Sequence, residues 1–384
     1  MSEMDLDNFE PVARIVVIGV GGAGNNAVNR MIDENINNVE FYVLNTDKQA
    51  LATSKAPNRI VLGEEVTMGL GAGGDPAVGK AAAEKSQAAI REIVHGANMV
   101  FIAAGMGGGT GTGAAPIVAQ IARDEGALTI AIVTRPFTFE GKRRIANSVG
   151  GLTELKDAVD SIIIVSNDKL LMASGNAPIS QAFSESDKVL AQSVKTVTDL
   201  ILLPAVINLD FADVKSTLKG SGIALIGFGI GSGVNKAEEA AQNAINSPLL
   251  EASISGARRA ICAVTCGANV SLYEAQECVN RIIEQAGSAI DIKFGVSIND
   301  QLADTILVSV IASDFTEEYD FTSIPQFHAP KKEAVGRSVL ETQQETVRHI
   351  ENDEAEKQEE SSVADSILPD FLKGSFNPNA GEGN

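Results

Sequence analysis

The chain has 384 residues, 44% hydrophobic but only 4% aromatic and without Trp, so its core is expected to be aliphatic, Ala-rich and divided between two domains. A formal net charge of −20 excludes non-specific binding to DNA, RNA or anionic lipid. It leaves polyphosphates to be held locally, by backbone N–H groups, a metal ion or one well-placed Arg.

Residues 1–12 are acidic, carry no apolar stretch of the signal-peptide kind, and are expected to be flexible. Residues 13–20 (ARIVVIGV) read as a buried strand leading into Gly. A helix over 25–33, a strand over 40–45 and an Ala-rich helix over 80–94 follow. A strand over 98–104 runs into the Gly-rich stretch 105–113. Then come a helix over 114–124, a strand over 127–134, a helix over 145–156 and a strand over 161–166. Strands alternating with helices predict a parallel sheet covered on both faces.

Residues 184–203 read as one long helix. Leu190, Val194, Val197 and Ile201 recur at spacings of four, three and four, and further apolar residues widen the stripe, so burial on more than one side is expected. Pro204 ends it. Beyond it, strands at 223–230, 260–265, 292–296 and 305–312 outnumber helices at 236–246 and 272–285, which predicts a smaller α+β domain. The expected division is a first domain over 13–183, the helix 184–203 between domains, and a second domain over 204–316.

The three cysteines are Cys262, Cys266 and Cys278. With no second Cys or His pair beside them, they read as reduced thiols of a cytoplasmic protein and not as a metal site, and Cys262, in an apolar run, as a packing residue. Residues 317–365 hold 13 acidic and 5 basic side chains, so 317–364 is expected to be a disordered acidic linker. The terminal stretch 365–384 opens on an apolar island, Asp365 to Lys373 (DSILPDFLK). Ile367, Leu368, Phe371 and Leu372 have no core to join there, which predicts a docking peptide. No apolar run approaches the ~20 residues of a membrane span.

Gly19-Val20-Gly21-Gly22-Ala23-Gly24 fits G-x-G-x-x-G between a strand and a helix, with Asp47 after the next strand. Small residues there let backbone N–H groups approach phosphate at a helix N-terminus. Alone, this stretch suits a dinucleotide-dependent oxidoreductase as well as any other nucleotide binder. The stretch 107–113 (GGGTGTG) is more specific. Five glycines in seven residues do not serve stability, because each loses conformational entropy on folding. The hydroxyls of Thr110 and Thr112 suit phosphate oxygens, and a second cradle on the same sheet suits a triphosphate. Residues 74–81 (GDPAVGKA) nearly match G-x-x-x-x-G-K-[ST], but Ala81 replaces the needed hydroxyl, no strand precedes the stretch and Pro76 interrupts it. That match reads as chance. Asp210 and Asp213 sit three apart, where a helical turn puts both carboxylates on one face.

The Gly-Thr run resembles the signature loop of the tubulin superfamily, and its surroundings resemble the FtsZ family, the bacterial tubulin-like division GTPases. Asn45-Thr46-Asp47, 69–73 (GLGAG), 134–141 (TRPFTFEG), 208–214 (NLDFADV) and 247–250 (SPLL) carry the resemblance further. It covers roughly 13–316 and resumes in the terminal peptide. It implies a tubulin-like α/β fold: a parallel-sheet GTP-binding domain, a long core helix, a smaller α+β domain and a disordered tail.

The resemblance also implies GTP as substrate, GDP as product and Mg²⁺ as accompanying ion. Gly22, Ala23, Gly24, Asn25 and Asn26 match the first nucleotide loop, and Gly108, Gly109, Thr110 and Gly111 the phosphate loop. Glu140 would meet the ribose and Arg144 the sugar–phosphate region. Asn167 and Asp187 match guanine-reading positions, with Phe183 beside the base; a carboxylate accepts from the guanine N1–H and 2-amino group, a pair adenine lacks. Asp210 and Asp213 match the catalytic loop that enters the next subunit's site and polarises the attacking water. Nothing near them in the chain offers a phosphate cradle.

The expected protein is a polymerisation-activated GTPase that stacks head to tail into filaments. As a cytoplasmic ring scaffold at mid-cell, it would be tethered through Asp365 to Lys373 to a membrane-bound adaptor and division regulators. It would bind no nucleic acid and insert no segment in the membrane. Three departures stand out: Ala23 where many members have Gly, the segment Lys219-Gly220-Ser221-Gly222, and the lack of basic residues after Lys373. The rivals are the oxidoreductase and a GTP-binding regulatory relative without turnover, against which the presence of both Asp210 and Asp213 argues.

Overall fold

The computed structural model describes residues 13–174, 178–202, 205–247, 249–250, 252–287 and 290–316. The expected flexible N-terminus, acidic linker and docking peptide lie outside the described residues.

The first half alternates strands and helices. β1 (Ile15–Val20) is β-branched and buried throughout. It is followed by α1 (Gly21–Asp33), β2 (Glu40–Asn45), α2 (Lys48–Ala52), β3 (Asn58–Val61), α3 (Glu64–Thr67), α4 (Pro76–Lys85) and α5 (Gln87–Val94). Next come β4 (Met99–Gly105), α6 (Thr110–Asp124), β5 (Leu128–Arg135), a 3-10 turn (Thr138–Glu140), α7 (Lys142–Ala158), β6 (Ser161–Ser166) and α8 (Asn167–Ser174). The long helix α9 (Ile179–Leu202) leads to α10 (Phe211–Leu218), β7 (Gly222–Ser232), α11 (Lys236–Ile245), β8 (Ala257–Cys266), α12 (Leu272–Ala286), β9 (Asp291–Ile298) and β10 (Thr305–Phe315).

One sheet has the order β3-β2-β1-β4-β5-β6-β7-β10-β8-β9. From β3 to β7 every pairing is parallel, as the alternating pattern predicts. β10 enters antiparallel between β7 and β8, and β9 pairs parallel on the outside of β8. β6 and β7 share only the three-residue register Ser161–Ile163 with Gly222–Ala224, so the sheet is narrowly joined there. β1 puts the 19–24 motif and β4 puts the 107–113 motif at the carboxyl ends of adjacent parallel strands, where open α/β sheets bind ligands.

α9 has 24 residues and spans about 36 Å. Leu190, Val194 and Val197 are buried as the stripe predicts, and Val189, Ala191, Ser193 and Thr198 are buried too, so it packs on more than one side. On β7 the alternate glycines Gly227, Gly229 and Gly231 face α11 so closely that a Cβ on any of them would meet backbone of Ala244, Ala240 or Lys236 at 2.0–2.2 Å. Cys262, Cys266 and Cys278 are free and buried, and the apolar surroundings push the Cys266 thiol up to about 11 and that of Cys278 to about 12.

Several bounds differ from expectation. The expected helix 80–94 is two helices meeting at Ser86, whose hydroxyl accepts from the Gly63 amide at 2.9 Å. α9 starts at Ile179, five residues before 184. α1 starts at Gly21, not at residue 25, and α6 at Thr110, not at 114. Glycine is a poor helix former, so the pattern hides the first turn of both. The departure Lys219–Gly222 is the tight link from α10 to β7: Gly220 and Gly222 have φ of 61° and 68°, which suit glycine.

Candidate functional site

Because both motifs run into the first turns of helices, the N–H groups of Gly21, Gly22 and Ala23 in α1 and of Thr110, Gly111 and Thr112 in α6 are ones a helix leaves without intrahelical partners. Neither α1 nor α6 has a side-chain cap on these groups. The two turns abut: a Cβ on Gly21, whose φ is +72°, would lie 2.8 Å from the Gly111 nitrogen. The Thr46 and Thr110 hydroxyls are 2.6 Å apart and tie the end of β2 to α6. Two adjacent, uncapped helix N-termini form an anion cradle.

The motif glycines divide into two kinds. A Cβ on Gly24 or Gly109 would meet protein at 2.2 or 2.8 Å, and one on Gly111 would lie 2.6 Å from the Gly105 carbonyl oxygen, so these residues serve packing. A Cβ on Gly22 or Gly108 would meet no protein atom within 4 Å. These two face open space, as residues that admit a ligand should. Ala23 and Asn26 are exposed beside them. Ala23 is a methyl group near Gly105 and leaves its N–H in place.

Asn25 is buried, and in the orientation its neighbours require its amide donates to the carbonyls of Gly19 and Gly21 at 3.1 and 2.8 Å and accepts from Asn45 at 3.3 Å. It shapes the first loop from within. Thr112 does the same for the second, accepting from the Gly107 amide at 2.8 Å. Asn147 of α7 donates to the carbonyls of Gly74 and Gly107 at 3.2 and 3.4 Å and so joins the 69–74 loop to the 107–113 loop.

The near-match at 74–81 has a structural origin. Pro76 opens α4, Gly79 lets α4 approach the Gly109 carbonyl, and Lys80 pairs with Glu154 at 2.9 Å on the surface. Asp47 accepts from the amides of Gln49 and Ala50 and caps α2, so the acid that suggested a dinucleotide site has a local structural task.

Glu140 accepts from the Phe137 amide at 3.0 Å and pairs with Arg144 one turn along. Asp168 accepts from the amide and hydroxyl of Thr138 at 2.9 and 2.7 Å and fixes the turn that carries Glu140. Phe183 is 43% exposed and meets the buried Phe137 edge-on at 5.0 Å, with Phe139 stacked on Phe137 at 4.9 Å. Asn167 is buried and accepts from Ser186 at 2.8 Å.

Asp187, one residue on, is half-buried, and among the described residues no protein donor reaches its carboxylate. Burial pushes it up to about 7, against the pull of Arg30. A half-buried carboxylate without a donor, near an exposed aromatic face, suits a planar base that brings two N–H donors.

Asp210 and Asp213 are elsewhere. They form a capping box at the start of α10: the Asp213 amide donates to Asp210 at 2.7 Å and the Asp210 amide to Asp213 at 3.4 Å. Ile207, three residues earlier, pairs with Val296 of β9, the outermost strand, seven positions from β1. At ~4.8 Å per strand step this is about 30 Å from the cradle. Within one chain the loop that carries the two acids is thus pinned far across the sheet from the two Gly-rich turns.

Thr46 has a local signal in the chain, but Asn147, Asp168, Ser186 and Arg30 have none. The Asn45-Thr46-Asp47 run was the one available signal; the other four act through contacts remote in the chain.

Residues 14–175 match the GTPase domain of the tubulin/FtsZ family and residues 222–316 match the C-terminal domain of the FtsZ family. The fold is similar to that of an empty FtsZ dimer from M. jannaschii, at 41% identity over 78% of this chain and 88% of that chain, with a TM-score of 0.75. A point variant of M. jannaschii FtsZ is similar at 40% identity over 79% and 91% of the two chains, with a TM-score of 0.76. The GTPγS-bound protofilament of CetZ2 from Haloferax volcanii shares the fold at 21% identity over 78% and 92%, with a TM-score of 0.67.

Proposed function

The chain belongs to the FtsZ family of tubulin-like GTPases, and from that premise we propose that it polymerises head to tail and hydrolyses GTP at sites shared between neighbouring subunits. The single observation that carries this reading is the separation of cradle and acids: about 30 Å of sheet lies between β1 and the strand that pins the Asp210 loop. A second copy stacked on the first supplies the pair in trans. Repeating one heterologous contact gives an open filament.

In this reading the first turns of α1 and α6 hold the phosphates, with Gly22 and Gly108 giving them room. Glu140 and Arg144 separate to meet the ribose and the sugar–phosphate region. Phe183 flanks the base, and Asp187 with Asn167 reads guanine. Asp210 and Asp213 of the next subunit orient and polarise the attacking water, since phosphoryl transfer is mostly positioning and electrostatics.

Mg²⁺ fits as an ion carried by the phosphates. Among the described residues no three His, Cys, Asp or Glu side chains gather, and Mg²⁺ at nucleotides takes its ligands chiefly from phosphate and water. We place the domain division at 13–183, 184–203 and 204–316, and a docking role on Asp365 to Lys373 for a membrane-bound adaptor at the mid-cell ring. Among the described residues no helix is long and apolar enough to cross a membrane.

Phosphate release from GTP per molecule of protein, across a dilution series with light scattering alongside, tests the shared site. Activity that vanishes below a threshold concentration, with scattering above it, is expected. Constant activity per molecule at every dilution would mean each monomer holds a complete site and would end this reading.

A further inference from the structure

Arg30 lies in the last turn of α1, the helix whose first turn holds Gly21 to Gly24. Its Nη2 donates to the Ser184 hydroxyl at 2.6 Å, across 154 residues of chain. Ser184 and Asp187 are three apart on α9 and share a face. The side of α9 that Arg30 grips is thus the side that bears Asp187.

We propose that Arg30 is a positioning residue for guanine recognition: it anchors the start of α9 through Ser184 and presents its positive charge to Asp187, so that the carboxylate meets the base ionised. The proposal rests on the base-reading role given to Asp187 above. It makes α1 a single rigid part with the phosphate cradle at one end and the control of the base reader at the other.

The other charged groups on the elements packed against α9 have their own partners or lie away. Glu34, just past the end of α1, is 3.9 Å from Arg30 itself. Glu185 and Lys188 pair with each other at 2.7 Å. On α8, Asp168 is held by Thr138, and Lys169 donates to the Leu250 carbonyl at 2.7 Å. Arg135 closes β5, and Asp213 and Lys215 of α10 follow the other end of α9. Among the described residues Arg30 is the charge that acts on Asp187.

The test is GDP affinity of the full chain, by calorimetry from about pH 6 to about pH 8.5, for wild type, Arg30→Gln, Arg30→Lys and Asp187→Asn. In wild type, affinity rises with pH up to about 7 and then levels, because the base needs the ionised carboxylate. Arg30→Gln moves this rise up by about one pH unit and weakens binding about tenfold near neutrality, with a deficit that shrinks as pH rises. Arg30→Lys keeps the charge and most of the affinity. A deficit of equal size at every pH would make Arg30 a structural residue only and overturn the proposal, as would unchanged binding. Asp187→Asn separates the two levels. If it binds GDP as wild type does with the pH rise intact, the base-reading role itself falls. If it removes the rise while Arg30→Gln leaves the rise in place, the role of Arg30 alone falls.

Discussion

Asp210 and Asp213 cap each other: each carboxylate accepts from the other's backbone amide, at 2.7 and 3.4 Å, and so fixes the first turn of α10. Both carboxylates lie at the start of that helix, and each still has lone pairs for water. The capping and the proposed catalytic task are therefore separable by chemistry. Asn caps a helix about as well as Asp does, whereas Ala loses about 0.5–2 kcal/mol. Asp210→Asn and Asp213→Asn should melt within a few degrees of wild type and bind GDP normally. Their turnover should fall by roughly a hundredfold or more, as when a positioned base is removed. Phosphate release and a thermal melt on the same samples check this. Wild-type turnover in Asp213→Asn would remove that residue from the mechanism.

The two kinds of motif glycine give opposite expectations. Gly22→Ala and Gly108→Ala add a methyl group that meets no protein atom, so stability should be unchanged or slightly raised while GTP affinity falls. Gly21→Ala forces a side chain into a φ of +72° and against the Gly111 nitrogen, so it should destabilise the fold by about 1–3 kcal/mol as well as weaken binding. Denaturant melts without nucleotide, set beside GDP titrations, distinguish the two. Loss of stability in Gly22→Ala would show that its open space is not a ligand's.

How far the sequence led depends on the range of the interactions concerned. β2 and β6 match their expected bounds, β1 starts two residues later, and β4 and β5 are shifted by one residue at both ends, because a β-branched run closed by Gly is a local signal. β3 went unread: NRIV is short, only partly buried, and lies at the sheet edge. The Gly motifs carry a local signal for tight turns after β1 and β4 but none for the first turns of α1 and α6, since propensity argues against glycine there. Arg30 and Ser184 are 154 residues apart, and Thr46 and Thr110 are 64 apart. No periodicity in the chain encodes such pairs. The capping box of Asp210 and Asp213 departs from the usual S/T-x-x-E/Q form, so the spacing of the two acids alone does not announce it.

Deletion of residues 365–384 should leave GTP turnover and its concentration threshold unchanged, because the residues proposed to hold the phosphates, read the base and polarise the water all lie between residues 19 and 213. The deletion should abolish capture of the protein by a membrane-bound adaptor. Sedimentation and phosphate release with the full and shortened chains check the first part. Failure of the shortened chain to polymerise would assign the terminal stretch to the filament and not to docking.

In the folded chain without nucleotide the Asp187 carboxyl is pushed up to about 7 by burial, above its ordinary value of 3.8. The folded state thus holds this proton more tightly than the unfolded chain does between those values. Stability from this group is fully present below 3.8 and is lost as pH rises to about 7, where the buried site must carry a charge. Asp187→Asn removes that charge. It should raise the melting temperature of the nucleotide-free protein near neutrality, by an amount equivalent to about 1–3 kcal/mol, and leave it nearly unchanged at low pH. Bound GDP should reverse the order, because guanine N–H donors favour the carboxylate and stabilise wild type by mass action. Melting curves of both proteins across pH, with and without GDP, measure this. Equal melting of the two nucleotide-free proteins at neutral pH would show that Asp187 carries no burial penalty, and the pH dependence assigned to it would have to come from another group.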